Sequence, residues 1–239
     1  MKIIRCFTVV IFLLVLLLSQ SVAVFAMNTG FSTVDLSKED EKTFLKNMSV
    51  SVLEEEQQEW AIDCFDVAEN GDIAIGCSNI NDKKVYIYSS EGEYKRGYSF
   101  DCMGSYGVEF EDDILLVYFV RSDIAMALDP VGNIVELAEI ENTIENNSYW
   151  NNTVNAKKRI VADKEYKVKN NLGILNIFAS SYSQLVVTDQ TGAEKVIYDV
   201  SALKLRQVIG NCSIFVVISC CVLCGIVWQF KKNIKNDAN

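Results

Sequence analysis

The sequence predicts an all-β fold built from antiparallel four-strand units, with a short N-terminal helix and one C-terminal transmembrane helix. Two consecutive β-hairpins are predicted between Ala61 and Phe100, and the first carries apolar residues on both faces, which is typical of strands that lie between two other layers. Turns of similar composition return further along the chain. An uncharged run from Val208 to Phe230 then follows the last predicted strand, and its length predicts a membrane span.

The composition excludes several classes of chemistry. The 239 residues include one Pro and no His, so Ser-His-Asp and Cys-His mechanisms and the usual zinc sites are ruled out. Residues 27–206 contain 17 basic and 31 acidic residues, a balance of −14. Because this surface would repel a phosphate backbone, we predict no nucleic-acid partner. We also predict no cofactor and no metal.

Residues 1–26 have the pattern of a secretory signal peptide. Lys2 and Arg5 precede an apolar run from Phe7 to Leu18, and Val24-Phe25-Ala26 fits a small-x-small cleavage site. The alternative is an uncleaved anchor, which would also place the following residues outside the cell. A mature domain beyond the membrane is therefore predicted.

A helix and a strand are predicted to form an N-terminal cap over residues 27–59. Ser37-Lys38-Glu39-Asp40 is a capping box. Phe44 and Met48 are spaced by four residues, as on one face of a helix, and the pattern then alternates as in a strand from Met48 to Val52. We expect this cap to cover one open edge of the β domain.

The first hairpin predicts a disulfide. If Asn70 and Gly71 are the two loop residues, Cys64 and Cys77 face each other at a non-hydrogen-bonded pair. The Cα separation of about 4.5 Å at such a pair is within disulfide reach. A bridge from either thiol to Cys102, or three free thiols, are the alternatives.

Residues 60–206 are predicted to form a β-repeat domain. A turn similar to 89–93 recurs 40 residues later at 129–133, and again 60 residues after that at 189–193. Each turn follows an apolar strand. The third unit would therefore carry an insertion, and the Asn-rich segment 141–156 is the candidate.

This insertion, Glu141 to Ala156, is predicted to be an exposed loop that contacts a ligand or partner through Tyr149 and Trp150. Exposed aromatic side chains supply a large contact area at low entropic cost, and both residue types are frequent in interface hot spots. The alternative is that Trp150 folds back over the open edge of the β stack and is buried there.

The strand, turn and strand order at a period of about 40 residues resembles the blades of extracellular β-propellers. The resemblance covers residues 61–199, and its three copies are fewer than the four to eight blades of a closed ring. It implies a partial, propeller-like stack. The order of segments is also similar to that of uncharacterised single-pass bacterial membrane proteins with a propeller-like extracellular repeat region, a resemblance that implies no activity, ligand or catalytic residue.

A transmembrane helix is predicted over residues 207–230, with a cytoplasmic tail over residues 231–239. Three lysines in this tail follow the apolar run, so the positive-inside rule places the C-terminus in the cytoplasm and the β domain outside the cell membrane. Cys221 and Gly225 form a small-xxx-small pair that could support a homo-oligomer through this helix.

These features favour a membrane-tethered extracellular module that binds or scaffolds a protein or a cell-wall surface ligand, without catalytic activity. A role in sensing through a partner membrane protein belongs to the same class. The alternative is a carboxylate-dependent hydrolase acting on wall glycan, for which Glu109, Glu111, Asp112 and Asp113 are close acidic neighbours. Such an enzyme needs two carboxylates across a cleft, one with a raised pKa.

Overall fold

The computed structural model describes residues 27–179 and 181–237, so the predicted signal peptide at residues 1–26 lies outside the described residues. The strands are β1 (Thr33–Asp35), β2 (Val50–Leu53), β3 (Ile62–Val67), β4 (Ile73–Asn79), β5 (Asp82–Tyr88), β6 (Tyr94–Asp101), β7 (Tyr106–Glu111), β8 (Ile114–Phe119), β9 (Ile124–Leu128), β10 (Ile134–Ile140), β11 (Lys158–Val161), β12 (Lys164–Lys169), β13 (Gln184–Thr188) and β14 (Glu194–Asp199). The helical segments are α1 (Lys38–Asn47), α2 (Ile144–Tyr149), the π-helical segment Trp150–Val154, the 3₁₀ helix Gly173–Phe178 and α3 (Ser201–Asp237).

The strands form three antiparallel sheets, which confirms the predicted all-β class. Sheet I has the order β2-β6-β5-β4-β3, sheet II the order β1-β10-β9-β8-β7, and sheet III the order β11-β12-β13-β14. Each sheet is a meander of four strands consecutive in the chain. The first two sheets gain a fifth strand from the N-terminal segment.

Sheet I lies between the other two sheets. Phe65 and Ile75 on one of its faces pack with Tyr198 of sheet III in one core cluster. On the opposite face, Val85 packs with Met126 of sheet II in a second cluster. All five side chains are at most 1% exposed, so the prediction that the first hairpin lies between two layers is confirmed.

The N-terminal segment forms the predicted helix and strand. Ser37 caps α1, because its Oγ accepts the N–H of Asp40 at 3.2 Å, and Phe44 and Met48 pack on the core between sheets I and II. β2 then pairs with β6, and β1, which was not predicted, pairs with β10. Each short strand covers an edge that would otherwise expose backbone hydrogen-bonding groups.

β3, β7 and β11 run side by side in the same direction through the centre of the stack. The N–H of Phe110 on β7 and the Nε of Arg159 on β11 both donate to Asp66 on β3. Because each sheet is a meander, its connections alternate between two ends. The end from which α3 leaves, here called the proximal end, holds the connections 80–81, 102–105, 120–123, 141–157, 170–179 and 181–183. The distal end holds the turns 68–72, 89–93, 112–113, 129–133, 162–163 and 189–193.

Four distal turns share one geometry, at 68–72, 89–93, 129–133 and 189–193. In each, the first residue donates its N–H to the fifth, and the glycine at position four donates back to the first. The four glycines have φ between 76° and 87°, a left-handed conformation that glycine adopts without steric cost. These are three-residue hairpin loops with a glycine bulge.

The first of these turns corrects the predicted register. Three residues, Glu69–Gly71, form the loop in place of two, so Cys64 faces Gly76 and Cys77 faces Ile62. The shift moves the two thiols to opposite faces of sheet I, where Cys64 belongs to the cluster with sheet II and Cys77 to the cluster with sheet III. A one-residue slip reverses the face of every side chain.

The predicted Cys64–Cys77 disulfide is therefore wrong in this structure. Both cysteines are free and buried, and Cys102 is free as well. Cys77 Sγ lies 3.6 Å from the Tyr198 hydroxyl, and burial raises the pKa of Cys77 to about 12. Such thiols act as small apolar side chains.

α3 begins closer to the β domain than predicted. It starts at Ser201, so that Val200 alone separates it from the end of β14 at Asp199, whereas the predicted span covers residues 207–230. The segment Ser201–Leu223 is long and apolar enough to cross a membrane, by length and composition. The first turns of this helix are thus part of the β domain's packing, since Val208 is buried.

Candidate functional site

A largely buried ion pair lies at the centre of the stack, where β3, β7 and β11 meet. Arg159 Nε donates to Asp66 Oδ1 at 2.9 Å, and both side chains are 13% exposed. The other carboxylate oxygen of Asp66 accepts the N–H of Phe110 at 2.8 Å, and the guanidinium lies over the ring of Phe65. Burial raises the pKa of Asp66, although Arg159 and the Phe110 N–H act in the opposite direction.

A second partly buried carboxylate, Glu109, lies on the outer face of sheet II. Tyr118 Oη donates to Glu109 Oε2 at 2.7 Å and Tyr149 Oη donates to Oε1 at 2.8 Å. Burial raises the pKa of Glu109, and the two tyrosine hydrogen bonds only partly oppose that rise. Both oxygens are occupied, so this group is held in place by its neighbours.

An acidic cleft of about 720 Å³ opens at the distal end beside this centre. It lies between the C-terminal ends of β3 and β7 on one side and the N-terminal segment around Asn28 on the other. Its lining residues are Asn28, Val67, Ala68, Glu69, Asn70, Phe110, Glu111, Asp112 and Asp113. The carboxylates favour cationic groups, and the backbone and amide groups beside them suit a hydroxylated or peptide ligand.

The four predicted acids separate in the structure. Glu111, Asp112 and Asp113 line the distal cleft, whereas Glu109 is not among its lining residues. Glu111 accepts the N–H of Asn28 with both oxygens, at 3.0 and 3.1 Å, and Asp112 has φ of 51° in the β7–β8 turn. Glu109, whose pKa is raised by burial, thus lies outside the cleft that the other three acids line.

The insertion is helical, which corrects the prediction of an exposed loop. Thr143 caps α2 by accepting the N–H of Asn146, and the buried Asn146 bonds both the N–H and the carbonyl of Ser32. Tyr149 and Trp150 are half-buried and pack with Phe31 against sheet II. Of the two alternatives for these aromatics, their contacts favour packing over the sheet.

Two glycines make room for this packing. Any side chain at Gly107 would meet Val154 and the ring of Trp150, and any side chain at Gly30 would meet the ring of Tyr149. The close approach is what lets α2 and the π-helical segment lie flat on sheet II. A contact of Tyr149 and Trp150 with a ligand or partner stays a prediction.

A polar pocket of about 360 Å³ lies at the proximal end, opposite the distal cleft. Asp63, Ser78, Tyr106, Lys157 and Tyr182 are among its lining residues. Asp63 accepts a hydrogen bond from Ser78, and the Tyr106 hydroxyl lies within hydrogen-bond distance of two backbone carbonyls, those of Cys77 on β4 and Lys84 on β5. These internal partners hold the polar groups of the pocket in place.

Sequence reasoning missed the Asp66–Arg159 pair. A signal was present, since Asp66 stands between the apolar residues Phe65 and Val67 near the end of β3. Its partner is 93 residues away, so the pair could not be found from local patterns. Within residues 27–179 and 181–237, no group of three or more Cys, Asp or Glu side chains is arranged to hold a metal ion.

The fold and these sites define a β domain of three stacked sheets joined directly to a helix that could span a membrane. Comparison with protein-family models gives no match, and comparison with curated proteins gives no significant match.

Proposed function

We propose that the protein is a single-pass membrane protein whose β domain stands outside the cell and binds or scaffolds a protein or cell-wall surface ligand, without catalytic activity. The observation that carries this proposal is that α3 follows β14 after the single residue Val200, and that the segment Ser201–Leu223 of α3 has the length and composition of a membrane span. The signal-peptide pattern at residues 1–26 and the three lysines after the apolar run support the orientation.

Contacts at the start of α3 support a rigid tether. The N–H of Val200 donates to the carbonyl of Ser183 at 2.9 Å, and Lys204 Nζ donates to Ser181 Oγ at 2.7 Å. Val208 is 5% exposed two turns into the helix. The β domain would therefore stand directly on the membrane without a flexible stalk.

The three sheets support a propeller-like arrangement of diverged copies. Their inner strands β3, β7 and β11 run together, and three of the shared turns fall at the β5–β6, β9–β10 and β13–β14 connections. The outer face of sheet II is covered by Phe31 and Trp150 in place of a further sheet. Such a frame holds its end loops rigidly, which suits a binding surface.

We place the contact surface at the distal end. Its turns are polar and its cleft is lined by Glu69, Glu111, Asp112 and Asp113. In the proposed orientation this end faces away from the membrane. The expected ligand carries cationic or amide groups that pair with these carboxylates, as on a basic protein surface or an amino sugar of the wall.

The hydrolase alternative rests on the raised pKa of Glu109. Glycoside cleavage requires that acid to face a second carboxylate across a cleft. Tyr118 and Tyr149 occupy both of its oxygens, and it does not line the acidic cleft. These contacts favour a structural role for Glu109 and support a non-catalytic module.

The proposed topology predicts the labelling of introduced cysteines. In a chain whose Cys102 and α3 cysteines are replaced, Gln190→Cys places a thiol at an exposed distal turn, and we expect it to react with a membrane-impermeant reagent on intact cells. Asn236→Cys should react only after the cells are opened. If Asn236→Cys reacts on intact cells and Gln190→Cys does not, the topology is the reverse of the proposed one.

The proposed contact surface predicts where a partner can be captured. A photo-crosslinking amino acid at Asp113, in the distal cleft, should form an adduct with the partner on intact cells. Glu69→Lys should lower the affinity for the partner about tenfold, which corresponds to a loss of about 1.4 kcal/mol of binding free energy, and should reduce the yield of the adduct accordingly. Glu39→Lys on α1 makes the same charge change as a control and should have no effect. Equal capture from Ile160, on the outer face of sheet III, would contradict the placement.

A further inference from the structure

The two ends of the β stack differ in what their connections expose. Every proximal connection except 181–183 carries at least one exposed large apolar side chain, namely Ile80, Met103, Val120, Ile144, Ile174, Ile177 and Phe178. Four of these, all isoleucines, are between 81% and 89% exposed. In the distal turns, Val131 is the one exposed large apolar residue within the described part of the chain. Apolar exposure concentrated at one end of a domain is typical of a contact surface.

The 3₁₀ helix Gly173–Phe178 is the most apolar of these connections, and it is built to point outward. Leu172, which directly precedes it, is buried, and the N–H of Leu172 donates to the side chain of Asn176 at 2.8 Å. Ile174 and Ile177 are three residues apart, and residues at that spacing lie above one another in a 3₁₀ helix. One side of the segment is thus anchored, and the other presents apolar side chains to the surroundings.

This segment lies next to the candidate membrane span. The 3₁₀ helix contacts α3, and Ser181, three residues after Phe178, accepts the hydrogen bond from Lys204 on α3. The exposed apolar residues of α3 continue from Leu203 through Ile209. The apolar surface of the proximal end therefore joins that of the helix.

We infer that the proximal end rests on the outer leaflet of the membrane, and that the 3₁₀ helix inserts Ile174, Ile177 and Phe178 among the lipids beside α3. The inference rests on the proposed tether and deepens it by assigning a lipid-contact surface. Lipid is the occupant that the geometry supplies, because a helix that leaves this end into a bilayer brings the adjoining loops to its surface. Apolar side chains of an interfacial segment gain free energy from that burial.

The charged helix α1 limits how deep this contact is. α1 lies at the same end, beside Asp101 and Ser122, and Glu39 and Glu41 are exposed on it. Carboxylates are excluded from the hydrocarbon region. The stack is therefore held with the side next to α3 in the lipid interface and the α1 side in the headgroup region or in water.

The test uses the full chain reconstituted in phosphatidylcholine vesicles, with an environment-sensitive fluorescent amino acid at one position. At Ile177 we expect blue-shifted emission that is quenched by lipids carrying a nitroxide near the headgroup. At Gln190, in a distal turn, we expect emission as in water and no quenching. Ile177 is 81% exposed, so the substitution leaves the core intact. A third probe at Phe215, within the apolar part of α3, reports insertion of the span by its quenching with acyl-chain nitroxides.

The three probes separate the possible failures. If Phe215 is quenched and Ile177 is not, the lipid contact is overturned while the tether stands. If Phe215 is not quenched, the proposed tether fails, and the inference fails with it. Blue-shifted emission at Ile177 without quenching by spin-labelled lipids would also overturn the inference, since it would show a protein contact at that surface.

Discussion

Replacing Tyr149 and Trp150 together by Ala is expected to lower the free energy of unfolding by about 4 kcal/mol, because truncating one fully buried aromatic side chain costs about 3 to 5 kcal/mol and each of these two is half-buried. The ring centroids of Tyr149 and Phe31 are 4.8 Å apart, and Trp150 closes over Gly107. The change also removes one hydrogen bond to the buried carboxylate of Glu109, which is left partly unsatisfied. Denaturant unfolding of the full chain in detergent measures the loss.

The neighbouring pair Asn151 and Asn152 provides the matched control. Both are exposed on the same helical segment, so their joint change to Ala should shift the stability by less than about 0.5 kcal/mol each. If the aromatic double mutant instead unfolds like the unmodified protein and loses partner capture, Tyr149 and Trp150 form a contact site and do not close the sheet.

Arg159→Met is expected to cost about 3 kcal/mol at neutral pH, because it leaves Asp66 as an uncompensated buried charge. The pKa of Asp66 in the folded protein is already raised above its usual value of 3.8. Ionisation of this carboxyl therefore lowers the free energy of unfolding, and the reduction grows as the pH rises from 3.8 through the folded-state pKa. Removing Arg159 raises that pKa further. The loss of stability should therefore be largest at neutral pH and shrink as the pH falls toward and below 3.8, where Asp66 becomes protonated in both the folded and the unfolded state.

Two further variants isolate the ion pair. Lys158→Met breaks the neighbouring surface pair with Glu165, whose side chains are 48% and 38% exposed, and should cost less than about 1 kcal/mol. Asp66→Asn combined with Arg159→Met removes both charges and should recover much of the stability. A pH-independent loss in Arg159→Met would show that packing over Phe65, and not the charge of Asp66, is what was removed.

The first hairpin shows how far local pattern predicts this fold. Asn70-Gly71 between apolar strands correctly predicts a hairpin, and apolar residues on both faces correctly predict its place between two layers. The register was wrong by one residue, because the same dipeptide fits a two-residue loop or a three-residue loop with Gly71 in the left-handed conformation. The structure has the three-residue loop, and with this register Cys64 and Cys77 pack into different core clusters.

The insertion shows the same limit for a polar segment. Its asparagines predict an exposed loop, yet Thr143 caps a helix there and Asn146 is 4% exposed. The segment is helical because one face, with Tyr149 and Trp150, covers the outer face of sheet II. Tertiary packing overrides local propensity where a helix can bury such a face.

The sequence by itself determined what depends on neighbours along the chain: the β-hairpins, the capped helix α1, the glycine turns, the apolar C-terminal run and the exclusion of histidine chemistry. Only the tertiary structure decided the hairpin register, the partner of Asp66, the burial of Glu109 and the sharing of one end by α3 and the exposed isoleucines. The physical reason is distance along the chain. Arg159 lies 93 residues from Asp66 and Tyr149 lies 40 residues from Glu109, and the energies of such pairs depend on burial that exists only after the sheets have packed.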